Sequence, residues 1–102
     1  QLFISTGTPL EEIKIILNKK NIRKYFKEVF GSPLNKTTHI NIIMKKYNLN
    51  PSQLVFFGDS NTDLEAAENY NIDFTLISNN YNKKLKSNYN GKIIKNFVEL
   101  LN

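Results

Sequence analysis

Leu54-Val55-Phe56-Phe57-Gly58-Asp59-Ser60-Asn61-Thr62-Asp63-Leu64-Glu65-Ala66-Ala67 constrains the fold more than any other stretch. Its first four residues are apolar, two of them aromatic and one β-branched, and read as a buried parallel strand. Gly58 permits a sharp exit, and the small polar run after it can cap a helix beginning near Thr62. Leu64, Ala67 and Tyr70 then recur at helical spacing on one face. A strand that ends this way and feeds a helix belongs to an open α/β sheet, which binds ligands beyond the carboxyl ends of its strands. Asp59 stands at that end, and Asp63, in the first helical turn, can face the same crevice. Two carboxylates and a run of loop amides suit a hard cation beside an oxyanion.

The rest of the chain alternates in the same manner. Leu2-Phe3-Ile4-Ser5 reads as a short strand. Thr8 then suits an N-cap, Pro9 the first helical position and Glu11 the third residue of a capping box. Ile13, Ile16 and Leu17 give that helix its apolar face, and Lys19-Lys20 suit its negative end. Ile22, Tyr25 and Phe26 suggest a short second helix. Glu28-Val29-Phe30 is a short strand stopped by Gly31-Ser32-Pro33. Asn35 to Thr38 lead into a helix with a core face of Ile40, Ile43, Met44 and Tyr47. Asn50-Pro51 caps a turn, Asn71 takes the left-handed position that closes the Asp63 helix, and Asp73 to Ile77 form the next strand. Residues 79–90, rich in Asn and Lys, read as a surface loop. Lys92 to Ile94 form a weak strand and Phe97 to Leu101 a last helical turn. This alternation predicts one α/β domain, a parallel sheet covered by helices, with no repeat and no linker.

At 102 residues the chain suffices for one small domain. The absence of cysteine excludes disulfides and thiolate metal sites. No apolar run approaches the roughly 20 residues that span a bilayer, and Gln1-Leu2-Phe3-Ile4 shows no signal-peptide pattern. A cytoplasmic protein without a membrane role is the expectation. The net charge of +5 comes from lysines scattered along the chain, with no aromatic-interleaved stripe. A solvated surface, and not nucleic-acid binding, is the reading.

Three pieces fall in a telling order: Ile4-Ser5-Thr6-Gly7-Thr8-Pro9, then Gly31-Ser32-Pro33-Leu34-Asn35-Lys36, then Gly58-Asp59-Ser60-Asn61-Thr62-Asp63. Together they resemble the second, third and fourth motifs of the haloacid dehalogenase (HAD) superfamily, across nearly the whole chain. The resemblance implies a Rossmann-like three-layer parallel sheet. It also implies a magnesium-dependent phosphoric monoester hydrolase acting on a phosphorylated small molecule through an aspartyl-phosphate. Dehalogenation and phosphomutation, also found in the superfamily, rank below phosphatase. Carried over residue by residue, Thr6, with Ser5 as the alternative hydroxyl, bonds a phosphoryl oxygen. The amides of Gly7 and Thr8 cradle the phosphate, and Lys36 neutralises its charge and that of the nucleophile. Asp59 holds Mg2+ directly or through water, and Asp63 orients Lys36 or a metal-bound water. Such residue types suit the chemistry, since phosphoryl transfer is catalysed by positioning and electrostatic stabilisation.

The departure is equally plain. Asp59, Asp63 and Asp73 are the only aspartates, and none stands in the Asp-x-Asp pair that supplies the superfamily's nucleophile and general acid. The cap domain has no counterpart either. The expectation is therefore a partial core, residues 1–102, lacking the central first strand and inactive alone. Two strands would be left with unpaired edges. The chain should then fold poorly, pair with the missing N-terminal segment or another chain, or close the gap by a ladder between Leu2–Ser5 and Val55–Phe57.

Two other site readings and a non-enzymatic one stand beside it. Gly58-Asp59-Ser60 resembles the nucleophile block of some serine esterases, but His39, the sole histidine, precedes Ser60 and is expected on a helix surface. A receiver domain combines similar groups in a different order. A non-catalytic fragment that complements another polypeptide is the alternative from a different class. Asp59 and Asp63 as mere helix-capping acids, and Thr6 and Thr8 as turn residues, are the structural alternatives.

Overall fold

The computed structural model describes residues 1–101. Its elements run β1 (Phe3–Pro9), α1 (Leu10–Lys19), β2 (Glu28–Ser32), α2 (Lys36–Lys46), β3 (Val55–Gly58), α3 (Asn61–Asn69), β4 (Asp73–Ile77), α4 (Lys83–Asn88) and β5 (Lys92–Ile94). Single 3-10 turns occupy Arg23–Tyr25, Pro51–Gln53 and Phe97–Leu101. The expected alternation holds, and every described strand pairing is parallel. No helix among the described residues is long and apolar enough to cross a membrane.

Asparagine ends three helices by one device. Asn21, Asn48 and Asn71 have φ of 56°, 52° and 56°, each two residues past the end of α1, α2 or α3. Asparagine tolerates this left-handed conformation better than most residues. After α1, Ile22 N donates to Leu17 O at 3.0 Å and Asn21 N to Asn18 O at 3.1 Å. After α3, Ile72 N donates to Ala67 O at 2.9 Å and Asn71 N to Glu68 O at 3.2 Å. These paired bonds are the Schellman pattern, which satisfies orphan carbonyls at the helix end. In each, the apolar residue after the asparagine comes back to a residue of the last turn.

The chain divides into two compact units, one from Gln1 to Lys45 and one from Lys46 onwards. In the first, β1 and β2 pair with Phe3 opposite Glu28, Ile4 opposite Val29 and Ser5 opposite Phe30. The ladder resumes only at Pro9 opposite Ser32, so Thr6, Gly7 and Thr8 bulge out against Gly31 alone. Leu17 of α1 and His39, Ile40 and Ile43 of α2 are buried. Met44 and Tyr47 are half-buried.

The second unit is a three-stranded sheet ordered β3-β4-β5, with Val55 opposite Asp73 and Leu76 opposite Ile93. The centre of this sheet is β4, not β3. Thr75 and Leu76 are buried, whereas Val55 is 53% exposed. The apolar run at Leu54–Phe57 thus corrects to an edge strand buried mainly at Gly58, because only β4 flanks it within its sheet. Full burial of Leu76 contributes about 2 kcal/mol. The ladder between Leu2–Ser5 and Val55–Phe57 is not among the described pairings, which lie within β1-β2 or β3-β4-β5.

Candidate active site

At the end of β1 the expected N-cap does not form. The strand runs on to Pro9, which itself occupies the N-cap position with no side-chain capping bond. Thr8 is instead held by Thr6. Thr8 N donates to Thr6 Oγ1 at 3.2 Å, and Thr6 Oγ1 lies 3.3 Å from Thr8 Oγ1, donating to it. The Thr8 hydroxyl, which an N-cap would turn to a helix amide, is thus paired with its neighbour two residues away. Gly7 is exposed, with open space where a Cβ would stand. Across the bulge, a Cβ on Gly31 would lie 2.5 Å from Thr8 O and 2.8 Å from the backbone of Leu10. Glycine there lets the β1–α1 junction close over β2.

Lys36 opens α2, one residue after Asn35, whose Oδ1 accepts Thr38 N at 2.9 Å. A turn further along, His39 corrects the surface expectation outright: its side chain is 0% exposed. Its Nδ1 lies 2.7 Å from Ser5 Oγ, its Nε2 lies 3.0 Å from Gly31 O, and its ring packs 5.5 Å from that of Phe30. Burial pushes His39 below its ordinary pKa, helped by the Lys36 charge and opposed by the carbonyls of Gly31 and Leu34. Ser5 is adjacent to Thr6, and Lys36 precedes His39 by three residues, about 4.5 Å of helix rise. The Ser5–His39 bond therefore brings the hydroxyl loop and the lysine-bearing helix start to the same end of this unit.

At the end of β3 the expected helix start holds, one residue early. Ser60 caps α3, accepting Asp63 N on its Oγ at 3.2 Å. The Asp63 carboxylate reaches back, its Oδ2 accepting Asp59 N at 3.0 Å and Ser60 N at 3.3 Å. This is a reciprocal capping box, and Asp63 is 5% exposed within it. Gly58 serves by lacking a side chain, since no glycine here has positive φ. A Cβ on Gly58 would fall 2.5 Å from Asp63 Cβ and 2.6 Å from its Oδ2. The Asp63 carboxylate occupies that space. Ser60 Oγ also lies 2.9 Å from Thr62 Oγ1. With that hydroxyl serving the cap, and the one histidine bonded to Ser5 and Gly31, the esterase reading fails.

The surface loop expected over residues 79–90 is corrected as well. They contain α4 and a buried asparagine, Asn82. Its Nδ2 donates to Asp59 O at 3.0 Å and Ile77 O at 2.9 Å, while its Oδ1 accepts Asn79 N at 2.9 Å. Asn79 Nδ2 donates to Asp59 Oδ2 at 3.3 Å. The acid loop is thus clamped from β4's side by two asparagines that no motif marked. Asp59, Ser60, Asn61, Asn79, Asn82 and Lys84 line an open cavity of about 450 Å³ together with Tyr81 and Leu85. Six residues with a single apolar one, Leu85, give no readable helical period, which is why α4 escaped detection.

No group of three or more acidic, histidine or cysteine ligands occurs among the described residues. Asp59 is exposed beside the cavity, and Asp63 lies in the turn that follows. Of the two carboxylates, only that of Asp59 is exposed in the manner that suits magnesium, which is commonly held by one or two carboxylates plus water and substrate phosphate. Asp63 Oδ2 already accepts two backbone amides. The two carboxylates do not form a closed cage for calcium or a transition metal.

The strand-end loops of this α/β fold define its class. The haloacid dehalogenase-like hydrolase family matches residues 1–77, so the chain belongs to that family. It is similar in structure to a predicted phosphoglycolate phosphatase from Haemophilus somnus, with 26% identity and a TM-score of 0.86 over 98% of this chain and 48% of that one. A haloacid dehalogenase-like family hydrolase from Streptococcus pneumoniae aligns with 23% identity and a TM-score of 0.84, over 98% of this chain and 50% of that one. A subfamily IA HAD hydrolase from Geobacter sulfurreducens aligns with 17% identity and a TM-score of 0.76, over 99% and 48%. The chain thus spans about half the length of these proteins. No curated protein matches it by sequence.

Proposed function

We propose that these residues are the motif-bearing part of a magnesium-dependent phosphoric monoester hydrolase whose nucleophilic aspartate lies outside the 102 residues. One observation carries the reading. Both candidate loops follow the carboxyl ends of parallel strands, Thr6–Gly7–Thr8 in β1 and Asp59–Ser60 after β3, where α/β sheets bind ligands. The Haemophilus neighbour's description as a phosphatase supports the phosphoester class.

The external aspartate attacks phosphorus, the ester P–O bond breaks, and the leaving oxygen takes a proton from the external general acid to depart as the alcohol. Water then hydrolyses the aspartyl-phosphate to phosphate and free carboxylate. Thr6 donates its hydroxyl proton to a phosphoryl oxygen in place of Thr8 Oγ1, and the Thr8 amide turns from Thr6 to the phosphate. Ser5, bonded to His39, leaves Thr6 as the donor. The Gly7 amide adds to the cradle, and Lys36 supplies a fixed positive charge. Asp59 would hold magnesium, with Asp63 fixing the loop and orienting a metal-bound water. When bound, the ion neutralises phosphoryl charge. The substrate is a phosphorylated small molecule, and the N-terminal segment or another chain completes the enzyme.

The test is phosphate release from p-nitrophenyl phosphate. The chain joined to an Asp-x-Asp-bearing segment should turn over with magnesium, lose activity with EDTA, and fall at least about 100-fold on Asp59→Asn. The 102 residues alone should be inactive. Turnover by the 102 residues alone would overturn the assignment of the nucleophile. A joined chain equally active in EDTA would overturn the magnesium reading.

A further inference from the structure

His39 is a fully buried polar side chain for which the proposed reaction finds no use. A buried imidazole is costly unless both nitrogens are bonded, and here both are. The Gly31 carbonyl can only accept, so Nε2 carries the proton. The neutral ring then presents a bare Nδ1, which accepts the Ser5 hydroxyl proton at 2.7 Å. The two bonds leave α2 in different directions and end on different strands. Ser5 immediately precedes the Thr6–Gly7–Thr8 bulge, and Gly31 lies beneath that bulge against Thr8 O. A leucine would fill the same space on α2, but apolar contact has no preferred direction along the helix. Two hydrogen bonds do.

We infer that His39 is a positioning residue, a neutral double strut that sets the hydroxyl loop of β1 in register with the Lys36 start of α2. The inference rests on the phosphate reading of that loop. A slip of one residue along α2 moves Lys36 by about 1.5 Å, a displacement that costs catalysis dearly when charge must meet a phosphoryl oxygen. Lys36 on α2 is the charged group that biases the ring, and it favours neutrality. Ser5, Phe30 and Gly31, packed on it from β1 and β2, carry no charge.

The experiment is orthophosphate titration of the 102-residue chain, followed through the amide resonances of Thr6, Gly7 and Thr8 in wild type, Ser5→Ala, His39→Leu, His39→Gln and the double variant Ser5→Ala/His39→Leu. The imidazole 15N spectrum is recorded alongside, and as the sole histidine His39 needs no assignment. The expected results are an Nε2-protonated ring and phosphate binding weakened about fivefold in each of Ser5→Ala and His39→Leu. Recovery is expected in His39→Gln, which can both donate and accept, with no added loss in the double variant. An Nδ1-protonated ring, single variants that bind like wild type, or additive losses pointing to direct Ser5 contact would each overturn the strut. Should His39→Leu fail to fold, Ser5→Ala and the ring's protonation decide. Wild type that binds no orthophosphate overturns the phosphate reading itself and the strut with it, an outcome set apart because no variant is involved.

Discussion

The loop after β3 and the loop within the end of β1 leave parallel strands in similar directions of sequence, apolar strand to small polar turn to helix, yet they are held differently. Around Asp59 the turn is closed by its own residues. Ser60 and Asp63 exchange capping bonds, and the carboxylate sits in the space that Gly58 leaves open. Around Thr6 the local bonds join only the two threonines, and the helix that follows has no side-chain cap. Support there comes from a distance in sequence, through His39 on Ser5 and Gly31. Under the proposed function the Asp59 carboxylate would benefit from a turn already fixed before a cation arrives. Under the same proposal the Thr6 hydroxyl has one partner on its donor side, Thr8 Oγ1, to exchange for a phosphoryl oxygen.

The difference can be broken from either side. The largest effect is expected at Gly31→Ala. Its Cβ would meet backbone atoms that cannot swing aside, so urea denaturation should show a loss of about 3 kcal/mol. Asn82→Ala should cost about 2 kcal/mol by leaving the carbonyls of Asp59 and Ile77 without that donor. It should also loosen the acid loop, visible as faster hydrogen exchange at Ser60 and Asp63. Asp63→Ala should lower stability by about 1.5 kcal/mol through loss of the capping box, and Asp63→Asn by half that or less, since its amide oxygen still accepts. Thr6→Val should change stability by less than about 1 kcal/mol while removing phosphate binding, the mark of a turn kept for exchange and not for support.

Acid gives a further contrast. His39 is held below its ordinary value of about 6.5, so the unfolded chain binds the proton more readily than the folded one. Its contribution to stability is complete above that unfolded value and is lost as pH falls through the folded one. Urea midpoints should drop on acidification below about pH 6.5 in wild type, and the part due to this group should vanish in His39→Gln.

Most of the fold could be read from residues whose meaning is local. Ser60 and Asp63 declare a helix start within four positions, and Asn71 declares a helix end by its tolerance of positive φ. What escaped was settled over longer separations. His39 looks like any polar residue on a lysine-flanked helix until Ser5, 34 residues earlier, supplies a hydroxyl. Asn82 lies in a tract of asparagines that composition alone cannot rank, and only the Asp59 carbonyl, 23 residues away, singles it out. Thr8 departs from the expected cap for a local reason, since Thr6 Oγ1 donates to the hydroxyl that a helix amide would otherwise use. At the β3 loop the family motif and the folding code coincide, so the turn is legible there. At β1 they diverge, and the supporting residue carries no motif.

The carboxylate lying where a methyl would otherwise be has a consequence for how such chains diverge. Gly58 cannot drift while position 63 carries a side chain, because a Cβ at the first would lie 2.5 Å from the Cβ of the second as well as 2.6 Å from its carboxylate. Descendants that abandon the acid for any residue with a Cβ should therefore still keep the glycine, so the acid can be surrendered first and the glycine only after it.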